Sequence, residues 1–212
     1  MPKVKAQISI SLDGYMAGPN QSEENPLGEG GEALHEWAVK LASFHEMHGR
    51  VGEGERGVSD DVLRATLDRL GAVVMGRNMF GPIRGPWPDE EWKGWWGEEP
   101  PFHCPVYVLT RYPRDPVQMD GGTSFHFVTE GIETAIAEAK EAADDQDVSV
   151  GGASTLQQTI AAGLLDEIVV TQVPILLGGG ERLFDRLPAG TKVELAAVVE
   201  GPEALHLTYR FG

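Results

Sequence analysis

The sequence predicts an α/β fold whose central sheet is mainly parallel and is closed by antiparallel strands at its C-terminal end. Three observations carry this. Short β-branched runs alternate with helical patterns along most of the chain, the arrangement that builds parallel strands joined by crossover helices. One run, Asp147-Val-Ser-Val150, passes through Gly151-Gly152 directly into a helical pattern. The last two strand patterns, Lys192 to Val199 and Ala204 to Phe211, follow each other closely and read as an antiparallel hairpin.

Taken in order, Lys5 to Leu12 alternates polar and apolar residues and reads as the first strand, ended by Asp13-Gly14. Residues 14 to 32 are rich in Gly, Pro, Asn and Glu and read as a long loop. From Ala33 to Met47, Leu34, Trp37, Ala38, Leu41 and Phe44 recur near helical spacing. Gly49, Gly52, Gly54 and Gly57 punctuate a second loop, and Ser59 then offers an N-cap for a helix over Asp60 to Leu70. Ala72 to Met75 is a buried-type strand running into Gly76-Arg77 and a short helical candidate.

Residues 81 to 104, crowded with Pro, Gly and Trp, read as an irregular excursion. Val106 to Leu109 and Ser124 to Val128 are the next strands, Ile132 to Ala143 an Ala-rich helix, and Glu167 to Val173 a further strand. No repeat, linker or low-complexity segment interrupts this order, so residues 1 to 212 form a single domain.

Composition narrows the function classes. Lys and Arg number 17 against 33 Asp and Glu, a formal charge of −16 with no basic block, which disfavours nucleic acid and anionic membranes as partners. No apolar run approaches the roughly 18–20 residues that span a bilayer. The N-terminus enters a strand pattern without a signal-peptide core. Cys104 is the single cysteine, so no intrachain disulfide can form; it reads as a small buried hydrophobe in a cytoplasmic protein.

The chemistry concentrates where strands end. A β-branched run, a glycine pair and a helix start at Gly151-Gly152-Ala153-Ser154-Thr155 place unobstructed backbone N–H groups at the positive end of a helix, which suits a phosphate. Two further strand ends supply Gly76-Arg77 and Thr110-Arg111, whose guanidinium groups match phosphate oxygens bidentately. The dinucleotide fingerprint G-x-G-x-x-G follows none of the expected strands. The glycines at 28–31 and 52–54 sit beside acidic residues that repel phosphate.

Other chemistries find less support. His45 and His48, with His35 upstream, have HxxH spacing without the catalytic glutamate of a zinc helix, and no metal site is expected. There is no G-x-S-x-G elbow. Leu176-Leu-Gly-Gly-Gly-Glu181 reads as a tight crossover rather than a loop over a ligand. Trp87, Trp92, Trp95 and Trp96, with Phe102, form either a stacking wall for a planar ring or a hydrophobic lid, and the lid is favoured.

In this order, Ser9-Ile-Ser-Leu-Asp-Gly14, Val74-Met-Gly-Arg-Asn-Met-Phe80, Val106-Tyr-Val-Leu-Thr-Arg111, Val150-Gly-Gly-Ala-Ser-Thr155, Gly163-Leu-Leu-Asp-Glu-Ile168 and Pro174-Ile-Leu-Leu-Gly178 with Leu183-Phe184 resemble the dihydrofolate reductase-like superfamily. The nearest branch is similar to the reductase domain of the bifunctional riboflavin-biosynthesis deaminase-reductase, here as a stand-alone chain. The resemblance implies a three-layer fold, NADPH as hydride donor, a small-molecule substrate and a homodimer. It assigns Gly76, Arg77, Thr110 and Arg111 to the cofactor's phosphates and ribose, Arg111 to the 2′-phosphate, and Gly151, Gly152, Ala153, Ser154 and Thr155 to the pyrophosphate.

The chain departs from the riboflavin enzyme in lacking the deaminase signature, in carrying Val150 where an acidic residue usually precedes the glycine pair, and in its Gly76-Arg-Asn-Met-Phe80 segment. The expected reaction is hydride transfer to a C=N or C=O carbon of a small pterin- or pyrimidine-like heterocycle or carbonyl compound. Asp13 is the leading residue to orient substrate or relay a proton; Glu36 and Asp60 read as solvated helix residues. A non-catalytic nucleotide-binding or sensing protein, or a flavin-linked reductase, are the alternatives on the same fold.

Overall fold

A computed structural model describes residues 2–83, 85–89 and 91–212; Met1, and Arg84 and Glu90 of the Trp-rich excursion, lie outside the described residues. Among the described residues, eleven strands and six α-helices follow one another as β1 (Val4–Ser11), β2 (Tyr15–Ala17), α1 (Glu36–Val39), α2 (Ala42–Met47), α3 (Val58–Leu67), β3 (Leu70–Gly76), α4 (Arg77–Phe80) and β4 (Pro105–Leu109). They continue with β5 (Val117–Gln118), β6 (Ser124–Val128), α5 (Ile132–Ala143), β7 (Asp147–Gly151), α6 (Ala153–Ala161), β8 (Glu167–Val173), β9 (Glu181–Arg182), β10 (Val193–Glu200) and β11 (Leu205–Phe211).

Nine strands form one sheet in the order β10-β11-β8-β1-β7-β3-β4-β6-β5. From β8 to β6 every neighbouring pair is parallel. The β10–β11 hairpin joins β8 antiparallel. The opposite edge carries an antiparallel strand too, the two-residue β5, which is too short to show in the hydrophobic pattern.

Helices α5 and α6 cover one face of the sheet. Val4, Ala6, Ile8 and Ile10 of β1, Val148 and Val150 of β7, and Ala135, Ile136 and Leu156 of the helices share that buried layer. The opposite face carries two smaller clusters. One gathers Val73, Met75, Val106, Val108 and Phe125 beneath the Trp-rich excursion; the other packs Leu34, Trp37 and Leu41 against Val173 and Ala204. Between these clusters the outer face of β1 and β7 is polar, and a cleft opens there.

The single helix expected over residues 33 to 47 is broken in three: a 3-10 turn at Gly31–Leu34, then α1, then α2. The break is tertiary in origin. Glu55 N–H donates to the Lys40 carbonyl and Ala42 N–H to the Glu55 carbonyl, each at 2.8 Å, and Leu41 is held extended. That pairing outweighs the helical periodicity. Ser59 is not the cap of α3, which begins a residue earlier behind Gly57; its hydroxyl is instead 2.9 Å from His206 Nε2. The long loop from residue 14 contains β2, paired antiparallel with β9.

Asp60 is not solvated. It is 1% exposed and accepts a 2.7 Å hydrogen bond from Ser43 N–H, joining α3 to α2. Among the described residues no helix is long and apolar enough to cross a membrane.

Candidate functional site

The C-terminal ends of β3, β4 and β7 open on one cleft of about 1080 Å³. Gly76, Arg77, Thr110, Arg111, Gly151, Gly152, Ala153, Ser154 and Thr155 all line it. The sheet register explains the convergence: β3 lies between β7 and β4, with Met75 beside Gly151 and Gly76 beside Leu109. Three segments far apart in sequence therefore end side by side, where open α/β sheets place their ligands.

The glycines are sterically required here. A Cβ on Gly76 would fall 2.8 Å from Thr155 Oγ1, so only glycine lets β3 end against the start of α6. Gly152 caps α6 at φ +87°, a left-handed conformation that side chains resist. No side chain caps this helix. The first-turn amides of Ala153, Ser154 and Thr155 lack intrahelical acceptors by geometry, and the helix dipole adds partial positive charge at the same place.

Arg77 is the most exacting group at this end. Its guanidinium carbon sits 3.8 Å from the centroid of Trp87 and 5.0 Å from that of Tyr112. Nη2 donates to the Pro86 carbonyl at 3.4 Å, whereas Nε and Nη1 are covered and have no hydrogen-bond partner among the described residues. Burial, and then the neighbouring Arg114 cation, push its pKa down from the usual arginine value, yet a guanidinium stays charged. Arg77 as a whole is half-buried, and two covered donors without a partner are costly unless an anion meets them. Arg111 is exposed at the mouth of the same cleft.

The cleft is also lined by Trp37, Phe44, Met47 and Leu63 and by the polar residues Gln7, Ser9 and His35. Trp37 is held on two sides. Its indole N–H donates to Ser9 Oγ at 2.9 Å, and its ring stands edge-on to His206 at 5.0 Å. His206 is fixed in turn between Ser59 Oγ and Thr171 Oγ1, at 2.9 and 3.0 Å, and burial lowers its pKa. His35 also has its pKa lowered by burial, so its imidazole is neutral at neutral pH.

Asp13 does not line the cleft. Its carboxylate accepts from Ser11 Oγ at 2.5 Å, Leu177 N–H at 3.1 Å and Gly178 N–H at 2.7 Å, tying the end of β1 to the glycine-rich segment. The Ser11 hydroxyl and those amides hold its pKa down at about 2, so it keeps no proton to relay at neutral pH. Asp13 is a latch in this structure. Glu36 is exposed on α1 and does not line the cleft either.

The tryptophans divide between the two roles. Phe80, fully buried, takes Trp87 and Trp92 edge-on at 5.7 and 5.4 Å, which makes that half of the excursion a hydrophobic plug. Trp95 and Trp96 both donate to the Met79 carbonyl, at 2.7 and 2.8 Å, and line the cleft. Cys104 is 8% exposed with its thiol pushed up to about 12 by burial, an inert core residue. His45 pairs with Glu53 at 3.3 Å and His48 Nδ1 lies 2.8 Å from the Phe44 carbonyl. The described residues hold no group of three His, Cys, Asp or Glu side chains suited to a metal.

Gln7, Ser9 and Trp37 are cleft residues that motif reasoning passed over. Their signal was present: β1 alternates in polarity although it lies inside a parallel sheet, where strands covered on both faces read as continuous apolar runs. A polar face on such a strand marks a place where no helix packs.

Comparison with known proteins agrees with this fold. YwjB, an uncharacterized protein of Bacillus subtilis, is 27% identical over 212 residues, covering 98% of this chain and 97% of its own. A Shewanella protein assigned to riboflavin biosynthesis superposes with a TM-score of 0.63 at 23% identity, over 99% of both chains. Dihydrofolate reductase from Enterococcus faecalis, solved with NADP(H), superposes with a TM-score of 0.53 at 16% identity, over 99% of this chain and 96% of its own. The family model for the RibD C-terminal domain matches residues 2–207, and the chain belongs to that family.

Proposed function

We propose that this protein is an NADPH-dependent reductase that transfers hydride to a small heterocyclic or carbonyl substrate. The observation that carries the reading is Arg77, a half-buried cation with two covered donors that have no partner among the described residues, beside a helix start whose cap residue is a glycine. The fit to a dinucleotide phosphate is good: donors, helix dipole and sterically required glycines line one end of a single cleft. The fold is shared with a dihydrofolate reductase solved with NADP(H).

In this reading the amides of Ala153, Ser154 and Thr155 hold the pyrophosphate and Arg77 neutralises it, while Thr110 and Arg111 take the ribose and its 2′-phosphate. Bound NADPH would supply the hydride. The chain's own residues do the rest. Trp95 and Trp96 from one side and Trp37 from the other keep water from the middle of the cleft. His35, whose neutral imidazole has no side-chain hydrogen bond, holds or moves a proton at the substrate end. The reading includes a homodimer, supported by the edge strand β10, where Val193, Leu195 and Val198 are each at least half exposed.

The test is calorimetric titration with NADPH and NADH. NADPH is expected to bind the more tightly, Arg111→Ala to bring the two close to equal, and Arg77→Ala to weaken both. One charge-assisted hydrogen bond lost in either variant corresponds to about a ten- to hundredfold change. Absence of NADPH binding to the wild-type protein overturns the reading.

A further inference from the structure

We infer that Gln7 is the specificity-determining residue at the substrate end, its side-chain amide reading the adjacent N–H and C=O of a planar lactam ring. This rests on the reductase reading and narrows its substrate to a heterocycle with that edge.

The polar face of β1 carries four side chains, and three of them are engaged. Lys5 pairs with Asp147 at 2.6 Å. Ser9 accepts from Trp37, and Ser11 donates to Asp13 while accepting from Tyr15 N–H. Gln7 is the exception. Neither its Nε2 nor its Oε1 has a hydrogen-bond partner, and both atoms are shielded from solvent. An amide in that state has lost water and gained nothing, and folded proteins rarely leave a polar group so.

Gln7 also lines the cleft, as do Trp37 and Leu63, on a strand that runs parallel to β7 with Lys5 beside Ser149. Both amide atoms are covered in this structure, so meeting a ligand takes a change of the glutamine stem among its staggered rotamers; the broad, roughly two-fold terminal torsion then sets which atom faces the ligand.

The chemistry of the amide then selects the ligand. Its carbonyl and NH₂ lie side by side in one plane, one accepting and one donating. They match a ring that presents a donor beside an acceptor, the geometry by which Gln and Asn read adenine. A lactam satisfies both atoms at once. A simple aldehyde or ketone offers an acceptor alone and leaves Oε1 unpaired, and a site built on hydrogen bonds rejects such an analogue strongly. The flat walls suit a ring, and the single amide fixes which edge enters.

The experiment is calorimetric titration of the full chain with lumazine, a planar ring bearing lactam groups, and with its N,N-dimethyl derivative, which keeps the ring and loses the N–H donors. Each titration is run without NADPH and with NADPH in excess. Wild-type protein is expected to bind lumazine about ten- to a hundredfold more tightly than the dimethyl derivative. Gln7→Met keeps the side-chain length without hydrogen bonds and should bring lumazine down to the dimethyl level. Gln7→Glu, with two acceptors, should turn the preference toward diaminopteridine, which presents an amino donor beside a ring nitrogen that becomes a second donor when it takes up a proton.

A side chain with only a structural role would change all these affinities together, or none. Equal binding of lumazine and its dimethyl derivative by the wild type, or an undiminished preference in Gln7→Met, overturns the inference. Should Gln7→Met fail to fold, the methylation contrast and Gln7→Glu decide. NADPH bound without the lumazine contrast refutes the role of Gln7 and leaves the reductase reading standing. The contrast without NADPH binding does the reverse.

Discussion

Replacing Phe80 by Ala should be among the most damaging single changes outside the ligand contacts. Phe80 ends α4, the short helix that begins at Arg77, and is fully buried. Four rings surround it edge-on: Trp87 at 5.7 Å, Trp92 at 5.4 Å, Phe125 at 4.9 Å and Phe127 at 5.2 Å. Truncating a buried Phe to Ala costs about 3–5 kcal/mol, and each edge-on pair is worth roughly 0.5–1.5 kcal/mol beyond its buried area. Because these terms overlap, about 4 kcal/mol is the expected loss, a large part of the roughly 5–15 kcal/mol that holds a typical protein folded. In urea this moves the unfolding midpoint down by roughly 1–2 M. The functional consequence follows through Trp87, which touches Phe80 on one side and carries the Arg77 guanidinium on the other. Phe80→Leu, a milder change, should therefore weaken NADPH binding although residue 80 does not line the cleft. A midpoint shift in Phe80→Ala corresponding to less than about 1 kcal/mol would show that the aromatic plug is a loose cover, and would refute the packing argument.

Two further predictions concern titratable groups. Asp13→Asn should speed hydrogen exchange at the Leu177 and Gly178 amides while leaving NADPH affinity intact; unchanged exchange would dispose of the latch. In the wild type the Asp13 carboxyl sits at about 2 in the fold against an ordinary 3.8, so its stabilising effect is complete above the higher value and fades as pH falls toward the lower. His206 runs the same way for the opposite chemical reason. Burial lowers its pKa, so below its ordinary 6.5 the unfolded chain takes up a proton that the native state refuses, and stability declines as pH falls through that value. Urea midpoints measured from about pH 8 to 5 should show this slope, and His206→Gln should reduce it without abolishing it, because His35 is shifted in the same direction. A slope identical in the two proteins would refute the assignment to His206.

What could be read from the chain divides by the range of the interactions involved. The cradle at Gly151 to Thr155 is a local unit in which strand, glycine pair and helix start are contiguous, so its geometry follows from a dozen residues. The parallel order and the C-terminal hairpin were legible for the same reason, since each strand carries its own pattern. The misreadings all turn on partners distant in sequence. Asp13 looks like a free carboxylate at a strand end until Leu177 and Gly178, 164 and 165 residues away, are seen to bind it. The helix over residues 33 to 47 is broken by Glu55, and Ser59 is drawn from its capping role by a histidine 147 positions on.

The substrate end is a different case, because its signal was local and visible. Lys5, Gln7, Ser9 and Ser11 alternate with Val4, Ala6, Ile8 and Ile10 in a strand that ends up fourth of nine in the sheet. Alternation is expected of a strand with one wet face. On an inner strand of a parallel sheet the wet face has to be a cavity, since helices cover such sheets on both sides. The pattern alone marked a cleft, and it needed only the strand's place in the sheet to say so. Within that stripe three polar groups are consumed by the fold and one is not. The residue left over, Gln7, is therefore where the requirements of folding stop accounting for the sequence and those of a ligand take over.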